Sequence, residues 1–197
     1  GNAEHRTPMS ELSRAATDGS RDTGKAIDPR QRAWVEVAPK AIEANAAALK
    51  QHLADGSDLM AVVKADGYGH GAITVAKAAL NGGATSLGVA TLEEGIELRR
   101  AGLKAPMLLL GNLTQADELR SCLHWELMPT LSSMREALLC QNLADGSGRR
   151  FPVQLKLDTG MSRLGCDWQD GPRLVEAIRH LENCLLYTSD AADEERG

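Results

Sequence analysis

Ala61-Val62-Val63-Lys64-Ala65-Asp66-Gly67-Tyr68-Gly69-His70-Gly71 joins three signals in one short stretch. The apolar run at 59–63 reads as a short buried strand. A lysine stands at its end, and three glycines then alternate with Tyr68 and His70 in a turn that leads into a helix. Strand, glycine turn and helix together make the β–α unit of a parallel sheet. An amine at a strand's carboxyl tip, beside a glycine loop, suits covalent capture of a carbonyl compound that carries a phosphate. Lysine attacks carbonyls as the neutral amine, a form favoured by desolvation or a nearby cation. Glycines let backbone N–H groups approach phosphate oxygens closely. The plain alternative for Lys64 is a solvated loop lysine, and for Tyr68 a ring packed over the rim of the sheet. His70 is read as orienting the loop or facing solvent, with no proton-transfer role.

The same rhythm extends outward. Residues 33–37 alternate as a half-buried strand, Pro39 sits near a helix start, and 41–53 form helix strongly. After the strand at 59–63, residues 73–80 are helical and Asn81-Gly82-Gly83 ends them. A strand at 87–90 precedes a helix over 92–101 that Thr91 caps, with Glu93 and Glu94 favourable in its first turn and Gly102 as its stop. A strand at 107–110 leads to a helix capped by Thr114 and ending near Cys122. A short strand at 126–128 is closed by Pro129-Thr130, and Ser132 or Ser133 caps a helix to 143. Residues 145–148 are a loop, 153–157 an alternating strand, and 168–180 a helix broken near its start by Gly171-Pro172. From Leu59 onward this makes five β–α units in a row, an α/β fold with a parallel sheet. The spacing fits either a (β/α)8 barrel or a doubly wound sheet.

The ends of the chain differ from its middle. Residues 1–30 are rich in Ser, Thr, Asp, Arg and Gly and cannot bury enough surface to offset ordering entropy, so a disordered leader is expected. Residues 184–194 do not continue the preceding pattern and resemble a translated sequencing adapter. Residues 184–197 are therefore set aside as a non-native tail, and the folded part is placed at 31–183, one ordinary domain. An aromatic share of only 3% favours a core of Ala, Leu and Val. The net charge of −5 argues against nucleic acid as partner. No run approaches the roughly 18 to 20 apolar residues that span a bilayer. Cys122, Cys140, Cys166 and Cys184 show no CxxC spacing, which fits a reducing cytoplasm better than a disulfide framework. No metal is expected.

A second chemical site follows the last strand: Lys156-Leu157-Asp158-Thr159-Gly160-Met161-Ser162-Arg163-Leu164-Gly165. Alternation puts Lys156 and Asp158 on one face. The Arg163 fork suits a carboxylate or a phenolate oxygen. An ordinary ion pair between Asp158 and one of the cations is the plain alternative. A dinucleotide site is weakly supported: Gly67-x-Gly69-x-Gly71 is not GxGxxG, and no acid stands at the tip of the next strand.

These two motifs, in this order, resemble the N-terminal part of alanine racemases, fold-type III enzymes dependent on pyridoxal 5′-phosphate. The resemblance covers residues 32–183. Its further anchors are Arg32-Ala33-Trp34-Val35-Glu36 and Leu87-Gly88-Val89-Ala90. It implies a partial TIM-type barrel, preceded by a strand and a helix, and an isomerase acting on a small amino acid in the cytoplasm to supply D-alanine for peptidoglycan. It implies Lys64 as the residue that holds the cofactor and acts as base for the D enantiomer. Tyr68 would help bind the phosphate, and Arg163 would reach the cofactor's phenolic oxygen and the substrate carboxylate. Lys156 matches a lysine that family members often carry as a carbamate, which orients the arginine.

The resemblance also implies a homodimer in the full-length protein. The opposite base would be a tyrosine from the C-terminal β domain of the partner subunit. That domain and three barrel units fall outside this chain, whose tyrosines are Tyr68 and Tyr187. An inactive fragment is therefore expected. Two competing readings share the half-barrel: a non-catalytic pyridoxal-phosphate carrier, and another fold-type III enzyme such as a decarboxylase.

Overall fold

The computed structural model describes residues 34–187, together with the backbone of His5–Thr7. Residues 1–4, 8–33 and 188–197 lie outside the described residues, and so does most of the reading made of them; His5–Thr7, expected to be disordered, is a paired strand instead. His5–Thr7 (β1) pairs antiparallel with Val35–Val37 (β2). Helix α1, Pro39–Gln51, follows with Pro in its first turn, where the missing N–H has no helical partner to lose.

Six strands then form one sheet: β3 Met60–Val62, β4 Ser86–Val89, β5 Met107–Asn112, β6 Met128–Leu131, β7 Phe151–Leu155 and β10 Cys184–Leu186. All neighbours are parallel. Their spatial order, β10-β7-β6-β5-β4-β3, is their chain order. Each new strand is laid on the same side of the last, so the winding never reverses. A doubly wound sheet needs such a reversal and a closed barrel does not. The sheet is therefore of barrel type, one stretch of a (β/α)8 ring. A short ladder, β8 Leu157–Asp158 with β9 Cys166–Asp167, stands beside it.

Helices α3 Ala72–Asn81, α4 Leu92–Arg100, α5 Ala116–Trp125, α6 Met134–Ala144 and α7 Gly171–Arg179 connect the strands. Alternate strand residues meet them: Leu87 and Val89, Met107 and Leu109, Phe151 and Val153 are buried in one cluster with Leu98, Leu119, Ala137 and Ile178. Each such Leu or Phe side chain contributes about 1.5 to 3 kcal/mol on burial. On β3 the contrast is sharp, since Val63 just past the strand is 1% exposed and Val62 is 37% exposed. Among the described residues nothing closes over Val62 on the face away from the helices.

Four local expectations change. The folded part was expected to end at Asn183, yet Cys184–Leu186 joins the sheet beside β7, with Cys184 buried. The strand expected to close before Pro129 runs through it, as β6. β5 carries a register shift between Leu109 and Asn112 opposite that proline, and Thr130 Oγ1 donates to Leu109 O at 2.7 Å there. A proline is tolerated where the ladder is already irregular. Glu126, expected in that strand, is the left-handed C-cap of α5. Helix α5 starts after Gln115, not Thr114, because Glu118 Oε2 accepts the Gln115 N–H at 3.3 Å.

Candidate active site

Val63 is buried at the end of β3 and fixes the start of the turn that carries Lys64. Lys64 itself is half-buried at the carboxyl edge of the sheet. The segment α2, Lys64–Gly69, is a helix of the wrong hand. Ala65, Asp66, Gly67 and Tyr68 have φ of 51°, 53°, 61° and 55°, with ψ from 50° to 38°. Ala65, Asp66 and Tyr68 each cost about 1 to 2 kcal/mol in that conformation. Gly67 escapes the penalty, and a larger residue there forces a shift, since an added Cβ would lie 2.9 Å from Val75 Cγ2.

Hydrogen bonds hold the turn on all sides. Gly67 N donates to Val63 O at 2.9 Å, and Gly71 N to Asp66 O at 2.9 Å. The Asp66 carboxylate accepts Ala72 N at 2.8 Å, at the start of α3. Glu94 Oε1, from α4, accepts Ala65 N at 2.8 Å. His70 Nδ1 lies 3.2 Å from Gly67 O and 3.1 Å from Tyr68 O, so the imidazole closes the loop. The Tyr68 ring does not pack on the rim; it is 59% exposed.

The second motif is less regular than its alternation promised. β7 ends at Leu155, and Lys156 does not continue it. Lys156 O accepts Cys166 N at 3.0 Å, which draws the backbone out of the sheet into the β8–β9 ladder. Lys156 N still donates to Leu131 O of β6 at 2.8 Å, so this residue is the hand-over point between the sheet and the short ladder. The Lys156 side chain is exposed. Asp158 Oδ1 accepts Ser162 N at 2.8 Å and Gly160 N at 3.0 Å. These bonds, Ser162 first, hold its carboxyl below the usual carboxylate range. Among the described residues no ion pair joins Asp158 to Lys156 or Arg163. Arg163 is exposed on the loop that Asp158 organises. Gly165 closes that loop at φ 114°, where a Cβ would come within 2.8 Å of Asp158 N.

Lys64, Tyr68, Lys156 and Arg163 thus all stand at the carboxyl edge of one parallel sheet, the edge where such folds place their chemistry. Strands β4, β5 and β6 lie between the lysine's strand and that of the second motif, and no hydrogen bond among the described residues links the two groups. A cavity of about 230 Å3 lined by Cys122, Leu127, Arg149 and Phe151 lies at the opposite, amino end of β6 and β7. Its Arg149 is engaged by Glu126 Oε1 and Leu123 O, so this hollow is a packing gap at the base rather than part of the site. Burial pushes the thiol of Cys122 up to about 12 and that of Cys184 to about 11, and raises Cys140 as well, which removes them as nucleophiles. The reach of Glu94 and the lock formed by Asp66 were not foreseen from sequence, although Thr91-x-x-Glu94 spells a capping box.

The sequence model described as "Alanine racemase, N-terminal domain" matches residues 37–195. The chain belongs to the alanine racemase family. An alanine racemase from Prochlorococcus marinus is 58% identical over 160 residues, covering 81% of this chain and 42% of that protein. The crystal structure of an alanine racemase from E. faecalis superposes with a TM-score of 0.70 at 37% identity, covering 75% of this chain and 40% of that one. An alanine racemase of Clostridium difficile 630 in complex with cycloserine gives a TM-score of 0.67 at 30% identity, covering 75% and 40%. The chain thus spans about two-fifths of the length of these relatives. No described helix is long and apolar enough to cross a membrane.

Proposed function

We propose that the protein to which this chain contributes interconverts L-alanine and D-alanine with pyridoxal 5′-phosphate, and that Lys64 is the residue that anchors the cofactor. The half-buried amine at the carboxyl edge, on a turn locked from both sides, is the observation that carries this reading. The residues suit the group chemically. An amine meets an aldehyde, the Tyr68 hydroxyl can donate to a phosphate oxygen, and the Arg163 guanidinium can pair with a phenolate or a carboxylate. Open space lies before the turn, since a Cβ at Gly69 would meet nothing within 4 Å. Bound there, the cofactor supplies the electron sink for the charge left when a Cα proton departs.

The chain's own residues do the rest. The Lys64 amine takes and returns the Cα proton on one face of the substrate. Arg163 fixes the substrate carboxylate, so that the Cα–H bond points at that amine. Carried as a carbamate, Lys156 is a negative group that orients the Arg163 guanidinium. Inversion needs a second base on the far face. Family resemblance suggests for that base a tyrosine contributed by the partner subunit of a homodimer, with Tyr68 serving the phosphate. We place the protein in the cytoplasm, where D-alanine feeds peptidoglycan synthesis. The chain taken alone is then a cofactor-anchoring half without racemase activity.

The test adds pyridoxal 5′-phosphate to the purified chain, reduces with borohydride, and maps the label by peptide mass. Lys64 should carry it, and Lys64→Ala should leave the chain unlabelled. A label that persists on another lysine in that variant would show that the wrong amine was chosen. Robust racemisation of alanine by the 197-residue chain would overturn the claim of inactivity.

A further inference from the structure

Glu94 does more than start its own helix. Its Oε2 accepts Ala90 N at 2.7 Å and Thr91 N at 3.3 Å, while Thr91 Oγ1 accepts Glu94 N at 3.3 Å. That much is an ordinary capping box, in which the third helical residue serves the cap that precedes it. The other oxygen reaches out of α4 to a neighbouring β–α unit, where it accepts Ala65 N at 2.8 Å, the amide next to Lys64. One carboxylate therefore satisfies three N–H groups on two connections, β3–α2 and β4–α4.

The other capping boxes of the molecule show what is special here. In α5, Glu118 Oε2 accepts Gln115 N and goes no further. In α6, Glu136 serves Ser132 N at 2.5 Å and Ser133 N at 3.2 Å, and its second oxygen accepts Asn112 Nδ2 at the tip of β5. Two of the three glutamates thus tie their helix to the carboxyl tip of the strand one β–α unit earlier, β3 for Glu94 and β5 for Glu136. At β3 that tip is the strained left-handed turn.

We propose that Glu94 is a positioning residue for Lys64. It holds Ala65 in the left-handed conformation and so fixes the direction in which the lysine side chain leaves the sheet. Asp66 secures the far end of the same turn through Ala72 N. Without Glu94, Ala65 N–H loses its acceptor, and a residue that disfavours positive φ is free to leave it. The amine then samples many directions, and each capture of an aldehyde must first reorder it. The proposal rests on the cofactor reading above.

Two measurements on the whole chain separate the outcomes. The first follows amide hydrogen exchange at Ala65 without cofactor, in Glu94→Ala, Glu94→Gln and the control Glu118→Ala. The second titrates pyridoxal 5′-phosphate and scores the borohydride-stable label on Lys64. Glu94→Ala should speed exchange at Ala65 and raise the half-labelling concentration about tenfold each, the lower range for a lost charge-assisted hydrogen bond. Glu94→Gln keeps one acceptor and should fall between, and it carries the test should the alanine variant fail to fold. Glu118→Ala removes an equivalent cap and should change neither readout. A Lys64 label unchanged in both Glu94 variants, or lost equally in Glu118→Ala, overturns the proposal. Absence of label on Lys64 in the unsubstituted chain overturns the cofactor reading instead. The exchange rate at Ala65 then judges the Glu94 clamp by itself.

Discussion

Asp158 shows how one side chain can set a loop that carries another residue's function. Its ionised form is favoured by the amides of Ser162 and Gly160, so its folded pKa lies below the unfolded one. The loop gains stability that is complete above the unfolded value, about 4, and is lost as pH falls through the lower folded value. Exchange at the Gly160 and Ser162 amides, corrected for intrinsic rates, should therefore be flat from pH 8 to about 5 and rise only in stronger acid. A rise already near neutrality would mean that a different group holds the loop. Asp158→Ala should release both amides at every pH. At this scale the sequence was partly legible. Lys64 and Lys156 were expected at strand ends and follow β3 and β7 within two residues, with Tyr68 and Arg163 on the segments beyond. Asp158 was offered as a partner for a cation and instead binds the backbone amides of Gly160 and Ser162, two and four residues on, where the loop folds back over its carboxylate. Glu94 was read only as a helix-dipole residue, since its contact to Ala65 joins residues far apart in sequence.

The elements were legible where a cap or a glycine marks their ends. Thr91 and Ser133 both cap as their spacing indicates, with Glu94 and Glu136 as reciprocal partners. The reading failed where backbone geometry depends on a neighbour: Pro129 inside β6, and the exit of the chain from the sheet at Lys156. It also missed the hand of the Lys64 turn. No local signal separates a left-handed turn from a loose loop when only one of its four residues is glycine. Two glycines of this stretch give a paired prediction. Gly67 and Gly69 both have positive φ, but a Cβ at Gly67 strikes Val75 whereas one at Gly69 meets open space. Gly69→Ala should cost about 1 to 2 kcal/mol from conformation alone, and Gly67→Ala distinctly more. Urea midpoints of the two variants measure the difference. Equal midpoints would mean that Val75 yields without cost.

The whole molecule is a curved run of six parallel strands with two outer edges. Among the described residues nothing pairs with the far sides of β3 and β10. Unpaired ladder groups invite other chains. β10 itself shields β7: Tyr187 N donates to Val153 O at 2.8 Å, Phe151 N to Asn183 O at 2.7 Å, and Arg150 Nη2 to Cys184 O at 3.0 Å. A variant that stops at Asn183 should bare β7 and self-associate at lower concentration than the full chain, as sedimentation velocity would show. Identical association of the two would mean that β10 protects nothing. The barrel-type order of the strands could not be read from spacing, because chain order becomes spatial order only through the crossovers. What β10 brings to its place is small: three residues, one of them a cysteine turned inward against Ala137 O. Main-chain pairing, the buried Cys184 and the half-buried Leu186 packed on the core seat it. The rim beside β7 is therefore a socket that asks for an extended triplet with apolar groups at its first and third positions, and short grafts of that pattern should dock where polar ones slip off.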